Sequence, residues 1–153
     1  MPAIARVSDI VEVLEIQFDE QSSFLDRDTG QVETVSRDLL SEAEDGAEDL
    51  DLPAWQEREW EMAKLIVFSD RFLKLPSKFD VHEWAIMQDF SLSVESERIR
   101  EDLLHAIHGA GAFGNFKYIL RRNGIEQAWF AFRKEALRQI AVDWCEKNQI
   151  AWE

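Results

Sequence analysis

Residues 125–147 read IEQAWFAFRKEALRQIAVDWCEK, and this stretch is the clearest indication of the fold. Its large apolar side chains recur at the spacing of one helix face, at Trp129, Phe132, Ala136, Ile140 and Trp144. Charged residues occupy other positions, as in a helix that packs through one side. Because a face with this much aromatic area needs a partner surface, the stretch predicts a helical domain with a Trp- and Phe-rich core.

Toward the N-terminus, the same spacing predicts five more helices. They are expected to start near Ser8, Pro53, Ser77, Glu95 and Ala112. The two serines are expected to be N-caps, because a serine side chain accepts a hydrogen bond from a free amide of the first turn. Phe18 and Phe79 are expected on the apolar faces of their helices.

Two short β-forming runs, residues 22–26 and 31–35, lie between the first two helices. Arg27-Asp28-Thr29-Gly30 separates them with turn chemistry, since glycine adopts a positive φ without strain. These runs predict a β-hairpin. The sequence therefore predicts an α+β fold that is predominantly α-helical, with about six helices packed around a Trp/Phe-rich core and one small N-terminal β-hairpin.

Length and composition favour an ordinary globular protein. A chain of 153 residues buries roughly 70% of the surface that its unfolded form exposes, so we expect a single domain over residues 1–153. Its one cysteine, Cys145, cannot form an internal disulfide, which suits a reducing compartment. No apolar run reaches the roughly 18 residues of a membrane span. We expect a cytoplasmic protein that does not enter a membrane.

The net negative charge lies entirely in the first two-fifths of the chain. Residues 1–62 carry 18 Asp and Glu against 4 Lys and Arg, whereas residues 63–153 carry 13 of each. Residues 41–52 hold six acids and no basic residue around Gly46, and are expected to form a mobile loop. A field of this sign repels nucleic acids and anionic membranes and attracts basic surfaces.

Several segments together resemble one protein family. They are residues 24–32 (FLDRDTGQV), 75–83 (LPSKFDVHE), 109–117 (GAGAFGNFK), 124–133 (GIEQAWFAFR) and 143–146 (DWCE). In this order the chain resembles the bacterial uncharacterised protein family 0158 over nearly its whole length. The resemblance implies a bacterial protein with that family's fold, and it implies no activity.

The glycine-rich segment Gly109–Gly114 fits the spacing of a dinucleotide-binding loop. A helix is predicted before it and no βαβ series surrounds it, so a nucleotide-binding fold is excluded by context. A milder alternative is a site for a phosphate or carboxylate at the start of the following helix. That site would use Gly109, Gly111, Gly114, Lys117, Arg121 and Arg122. The competing explanation is a tight turn between two helices.

Three further patterns have plain structural explanations. Asp28-Thr29-Gly30 matches the aspartic-protease triplet, but one copy would need a symmetric dimer, and a hairpin turn accounts for it. His105 and His108 share a helix face with Glu101, yet no metal-binding motif accompanies them, so we expect neither metal nor cofactor. Acidic neighbours raise the pKa of Cys145, which is expected to be a packed, inert thiol.

The function that the sequence favours is non-enzymatic binding of a basic protein partner through an acidic N-terminal surface. The residues expected to form this surface are Asp19, Glu20, Glu42, Glu44, Asp45, Glu48, Asp49 and Asp51. The alternative function is an enzyme or binding protein that recognises a phosphorylated small molecule or RNA end at Gly109–Gly114. The oligomeric state is left open.

Overall fold

The computed structural model describes residues 3–48 and 50–153. Within them the chain forms seven helices and five strands. In chain order these are β1 (Ile4–Ala5), α1 (Val7–Glu15), β2 (Gln21–Asp26), β3 (Val32–Ser36), α2 (Arg37–Glu44), α3 (Ala54–Phe68), β4 (Phe72–Lys74), α4 (Glu83–Ser93), α5 (Glu97–Ile107), α6 (Ala112–Arg122), α7 (Glu126–Lys147) and β5 (Ala151–Trp152). The fold is α+β and mainly α-helical, with one helix more than predicted.

The described chain forms two compact units. The first comprises the residues up to Lys78 together with Ala141–Glu153, and the second is Phe79–Ile140. The long helix α7 therefore belongs to the second unit up to Ile140 and to the first from Ala141. Since neither unit is shown to fold alone, a single domain over residues 1–153 stays a prediction.

A three-stranded antiparallel sheet in the first unit has the order β3-β2-β4. β2 and β3 form the expected hairpin, with Ser23 opposite Thr34. In its turn Gly30 has φ +77°, and a Cβ there would lie 2.4 Å from the carbonyl oxygen of Ile4. The turn thus needs glycine both for its backbone conformation and for close approach to β1. β4 adds a third strand, which pairs antiparallel with β2.

Asp26 ends β2 and holds the turn in place. Its nearly buried carboxylate accepts hydrogen bonds from the Asp28 amide at 2.9 Å and from Arg71 Nε and Nη2 at 2.9 and 2.7 Å. These hydrogen bonds, that of Arg71 first, keep the pKa of Asp26 below its ordinary value despite burial. Asp28-Thr29-Gly30 is therefore part of a hairpin turn, as its plainer explanation predicts.

The hydrophobic spacing does not predict α2, which follows directly after β3. Ser36 caps it by accepting a hydrogen bond from the Asp38 amide at 3.2 Å. Its buried Leu39 and Ala43 pack with α3 in one cluster, which is also covered by Leu40, Ala47, Leu50, Leu52 and Val67. Residues 41–52 thus begin in a helix and pack inward through Ala43, Ala47, Leu50 and Leu52, while their mobility stays a prediction.

α1 buries Ile10, Val11 and Leu14. Its N-cap is Arg6 and no side chain caps it, so the predicted Ser8 cap is wrong. The helix ends at Glu15, which leaves Phe18 beyond it and 59% exposed, contrary to prediction. The spacing of Phe18 continues the apolar periodicity, but the backbone has already turned toward β2.

The second unit has an aromatic core. Phe90, Phe116 and Trp129 are buried and meet edge to face, with ring centroids 4.9 to 6.3 Å apart. The predicted Trp/Phe core is therefore present only in part. Elsewhere in the described chain, large aromatic side chains are more than half exposed at Trp55, Phe68, Phe79, Phe113 and Phe130.

Helix α4 begins later than the sequence predicts. It starts at Glu83 after His82, without a side-chain cap, so the predicted Ser77 cap is wrong. Phe79 lies outside the helix and is 75% exposed, which corrects its predicted place on the apolar face. Glu83 instead ties α4 to α7, because Arg133 donates from Nε to its Oε1 at 3.1 Å.

Trp129 is buried as predicted, but from Leu137 onward the buried line of α7 lies one residue later than predicted. Leu137, Ala141 and Cys145 are buried, while Ala136 and Ile140 are half-buried. Apolar residues occur here as adjacent pairs, so the helix buries a wider face than a single stripe. Among all the described residues, no helix is both long and apolar enough to cross a membrane.

Candidate functional site

An open cleft of about 620 Å³ lies in the first unit, where the chain between α2 and α3 passes the side of α3. Four of its eight lining residues are carboxylates, from Glu48, Asp51, Glu57 and Glu61. Its other lining residues are Leu50, Arg58, Trp60 and Lys64. We call these eight residues the acidic cleft. It combines a surplus of negative charge with an apolar floor.

The spacing of α3 places its part of this cleft. Glu57, Glu61 and Lys64 follow at intervals of four and three residues, so they share one side of the helix. Trp60 is buried beside them, in the cluster that α2 covers. The cleft is therefore anchored on a packed helix.

One of the two cations that line the acidic cleft, Lys64, shows how a cation is held there. Lys64 Nζ lies 2.9 Å from Glu61 Oε1 and 5.4 Å from the centroid of the Trp60 ring. Such a placement over an indole face is favourable for a cation. The site is thus chemically suited to ammonium and guanidinium groups.

The chain before the cleft extends its negative surface. Glu42 and Glu44 lie on the exposed side of α2, and Asp45 follows as its exposed C-cap. Within the part of the chain that the structure describes, these three residues, Glu48 and Asp51 form no ion pair with Lys or Arg. Asp49, which belongs to the same predicted surface, lies outside the described residues.

The other two predicted acids lie at the opposite end of α2. The Glu20 carbonyl accepts a hydrogen bond from the Arg37 amide at 2.9 Å, which places it beside the first residue of α2. Asp19 is 2.5 Å from Lys78 Nζ, and this hydrogen bond lowers the pKa of Asp19. At 1.5 Å per residue, Glu44 is about 10 Å further along the helix. The structure therefore does not bring Asp19 and Glu20 into the acidic cleft.

The six residues of the predicted phosphate or carboxylate site are spread along α6. Gly109 and Gly111 precede the helix, and Gly114 lies in its first turn, where nothing described stands within 4 Å of a Cβ. Arg121 and Arg122 lie in the last turn, about 15 Å from Gly111 by helix rise. Arg121 also faces Glu126 at 3.7 Å. Lys117 lies between the two ends, so the six residues do not converge.

The histidines and the cysteine have structural surroundings. His108 Nδ1 lies 2.6 Å from the Leu104 carbonyl oxygen, and its ring meets Trp84 edge on. Across the described residues, no three His, Cys, Asp or Glu side chains are grouped as metal ligands. Cys145 is fully buried, and burial, with a smaller effect of Glu146, raises its pKa to about 11.

Sequence reasoning identified Glu48 and Asp51 but missed the α3 half of the cleft. Glu57 and Glu61 were not predicted as site residues, because Trp60 and Ala63 indicate that α3 is a core helix. Their separation by four residues, on the helix next to an acidic loop, is the signal that points to them.

Comparisons with known proteins give a consistent result. The family model of the uncharacterised protein family UPF0158 matches residues 1–153. The chain is 30% identical over 82 residues to the UPF0158 protein PA5073 of Pseudomonas aeruginosa, a match that spans 53% of this chain and 54% of that protein. The match thus spans about half the length of that curated relative. No solved structure matches the chain.

Proposed function

The chain belongs to the uncharacterised protein family UPF0158, and we propose that it is a non-enzymatic cytoplasmic protein that binds a basic protein partner. The observation that carries this proposal is the acidic cleft, in which Glu48 and Asp51 from the loop meet Glu57 and Glu61 from α3. The partner contributes a lysine or arginine to this cleft.

The charge balance of the cleft supports a cationic partner. Its four carboxylates face two cations, Arg58 and Lys64, so its lining is negative. The unpaired acids of α2 extend the same field along the chain. Because opposite charges steer encounter and reject partners of like sign, this arrangement selects a basic surface.

The floor of the cleft supports a side chain that is long as well as charged. Leu50 and Trp60 are apolar, and lysine and arginine cover apolar surface with their methylene stems while keeping the charge in contact with carboxylates. A small inorganic cation gains nothing from such a floor. The acidic cleft therefore fits a basic protein side chain.

Affinity capture with matched charge variants tests the proposal. The protein, a variant with Glu48→Gln, Asp51→Asn, Glu57→Gln and Glu61→Gln, and a control variant are each used as bait in a bacterial lysate. The control, with Asp89→Asn, Glu95→Gln, Glu101→Gln and Glu135→Gln, removes the same charge from exposed positions of the second unit.

We expect a basic protein to be captured by the unmodified protein and by the control, and to be lost with the cleft variant. The rate at which the captured basic protein associates with the unmodified protein should fall as NaCl is raised from about 0.05 M to about 0.5 M, because the Debye length shortens severalfold. Equal capture by both variants, or a captured set without basic proteins, would contradict the proposal.

A further inference from the structure

A second cleft of the first unit, about 610 Å³ in volume, lies between α1 and the three-stranded sheet. It shares no lining residue with the acidic cleft. Small-molecule sites are concave and have volumes of roughly 300 to 1,000 Å³. We call it the α1–sheet cleft, and its size matches a small organic ligand.

One wall of the α1–sheet cleft is apolar and open. Val13, Ile16 and Phe18 line it at the end of α1 and in the loop that follows. Ile16 is 64% exposed and Phe18 is 59% exposed, although both are large apolar side chains. A ligand with an apolar group would cover them, and the removal of that surface from water would favour binding.

Two carboxylates stand on the α1 side of this cleft. Asp9 and Glu12 are three residues apart on α1, so they point to the same side of the helix. In the described parts of the chain neither lies within 4 Å of a lysine or arginine nitrogen. The α1 side of the cleft is therefore an unpaired anionic site.

Two cations stand on the sheet side. Arg37 follows β3, and its Nε donates to Ser22 Oγ at 3.3 Å, while Lys74 ends β4. Neither forms an ion pair with a described carboxylate. By contrast, Asp19 and Lys78 in the same cleft pair with each other at 2.5 Å. Charges of opposite sign thus stand on the two sides without a direct ion pair, although Arg37 interacts electrostatically with Asp19 at longer range.

The lining of the cleft also includes polar groups that are held by hydrogen bonds. Ser23 Oγ and Thr34 Oγ1 lie 2.8 Å apart across the hairpin. Gln17 Nε2 donates to the Pro76 carbonyl at 3.2 Å, which fixes the amide at the rim. Hydroxyl and amide groups of this kind bind the polar atoms of a small ligand and orient it.

From this arrangement we propose that the α1–sheet cleft binds a zwitterion with an apolar side chain, an α-amino acid or a short peptide with both ends free. Its ammonium group faces Asp9 and Glu12, its carboxylate faces Arg37 and Lys74, and its side chain covers Ile16 and Phe18. Opposite unpaired charges on facing walls reject ligands of a single charge sign, because one wall would then repel them.

Calorimetric titration of the full chain at low salt tests this inference. The probes are L-phenylalanine and L-leucyl-L-phenylalanine, which separate a free amino acid from a short peptide. N-acetyl-L-phenylalanine lacks the ammonium group, and L-phenylalaninamide lacks the carboxylate. We expect at least one zwitterion to bind saturably. We also expect the corresponding singly charged compounds to bind about tenfold more weakly, because each loses one charge-assisted contact.

Two exposed substitutions assign the contacts. Glu12→Gln should weaken the zwitterion about tenfold and remove its advantage over N-acetyl-L-phenylalanine. Arg37→Gln should make the zwitterion bind no more tightly than L-phenylalaninamide. Glu44→Gln, an equally exposed change outside the cleft, should leave all affinities unchanged. Circular dichroism of each variant checks that its helices are retained.

The proposal is overturned if neither zwitterion binds, or if L-phenylalanine binds and its acetylated and amidated derivatives bind as tightly. Unchanged affinity in both Glu12→Gln and Arg37→Gln would also overturn it. Binding of L-leucyl-L-phenylalanine alone would support it and assign the cleft to peptides. None of these results depends on capture of a basic protein by the acidic cleft.

Discussion

At the scale of single residues, substitutions at two glycines distinguish the cost of backbone strain from the cost of a steric clash. Gly30 has φ +77° and Gly46 has φ +82°, but only Gly30 faces another backbone, at the carbonyl of Ile4. Gly46→Ala should cost about 1 kcal/mol of unfolding free energy, the strain of a left-handed alanine. Gly30→Ala should cost at least about 1 kcal/mol more, because the chain must also move away from β1. Urea unfolding measures both, and equal losses would contradict the close approach.

Asp26 provides a second test at this scale. Asp26→Asn should lower the unfolding free energy at pH 7 by about 2 to 3 kcal/mol, somewhat less than for a fully buried pair, because the Arg71 side chain is 34% exposed and can be rehydrated. Asp28→Asn is the control. Its carboxylate also lies near Arg71, 3.5 Å from Nε, but Asp28 is exposed, so this substitution should lower the unfolding free energy much less.

The pH dependence of the Asp26 effect has a defined sign. The pKa of Asp26 is lowered in the folded protein, so its contribution is complete above the ordinary pKa of 3.8 and is lost as the pH falls below it. The stability curves of the protein and of Asp26→Asn should therefore converge below about pH 4. Urea midpoints between pH 7 and pH 3 measure this, and a constant difference would contradict the ion pair.

At the scale of elements, α6 tests the glycine-rich alternative. The glycines lie at its start, whereas Arg121 and Arg122 lie in its last turn. We therefore expect about 10 mM inorganic phosphate to shift the melting temperature no more than NaCl of equal ionic strength. A phosphate-specific rise that Lys117→Gln removes would instead support a site for a phosphorylated ligand.

At the same scale, local pattern predicts some elements and not others. α7 follows from its periodicity, and the hairpin follows from its turn residues, because both signals lie within a few neighbouring positions. α2 is missed because its eight residues offer few apolar positions and are largely acidic or polar. Its helical state is stabilised by packing of Leu39 and Ala43 against α3, which no local pattern contains.

At the scale of the whole molecule, the net negative charge lies almost entirely in the first unit. The first unit has 22 acidic and 9 basic residues, and the second has 9 and 8. Raising NaCl from about 0.01 M to about 0.15 M should therefore raise the melting temperature by about 2 to 5 °C, because screening weakens repulsion among unpaired acids.

The cleft variant and its control variant show where this repulsion arises. Neutralising Glu48, Asp51, Glu57 and Glu61 should raise the melting temperature at low salt and reduce its further rise with NaCl. The control variant of the second unit should retain most of the rise. Scanning calorimetry at both salt concentrations measures the difference, and identical behaviour of the two variants would place the repulsion elsewhere.

By itself, the sequence determined a mainly helical α+β protein, the position of its hairpin, its family and the acidity of its N-terminal part. Two of the four carboxylates of the acidic cleft, Glu48 and Asp51, were also predicted, since a run of acidic residues is visible in the sequence itself. The tertiary structure alone decided that β4 joins β2, that Arg71 neutralises Asp26, and that Glu57 and Glu61 complete the cleft. These contacts join residues distant in the chain, and whether they form depends on how whole elements pack rather than on the neighbours of any one residue.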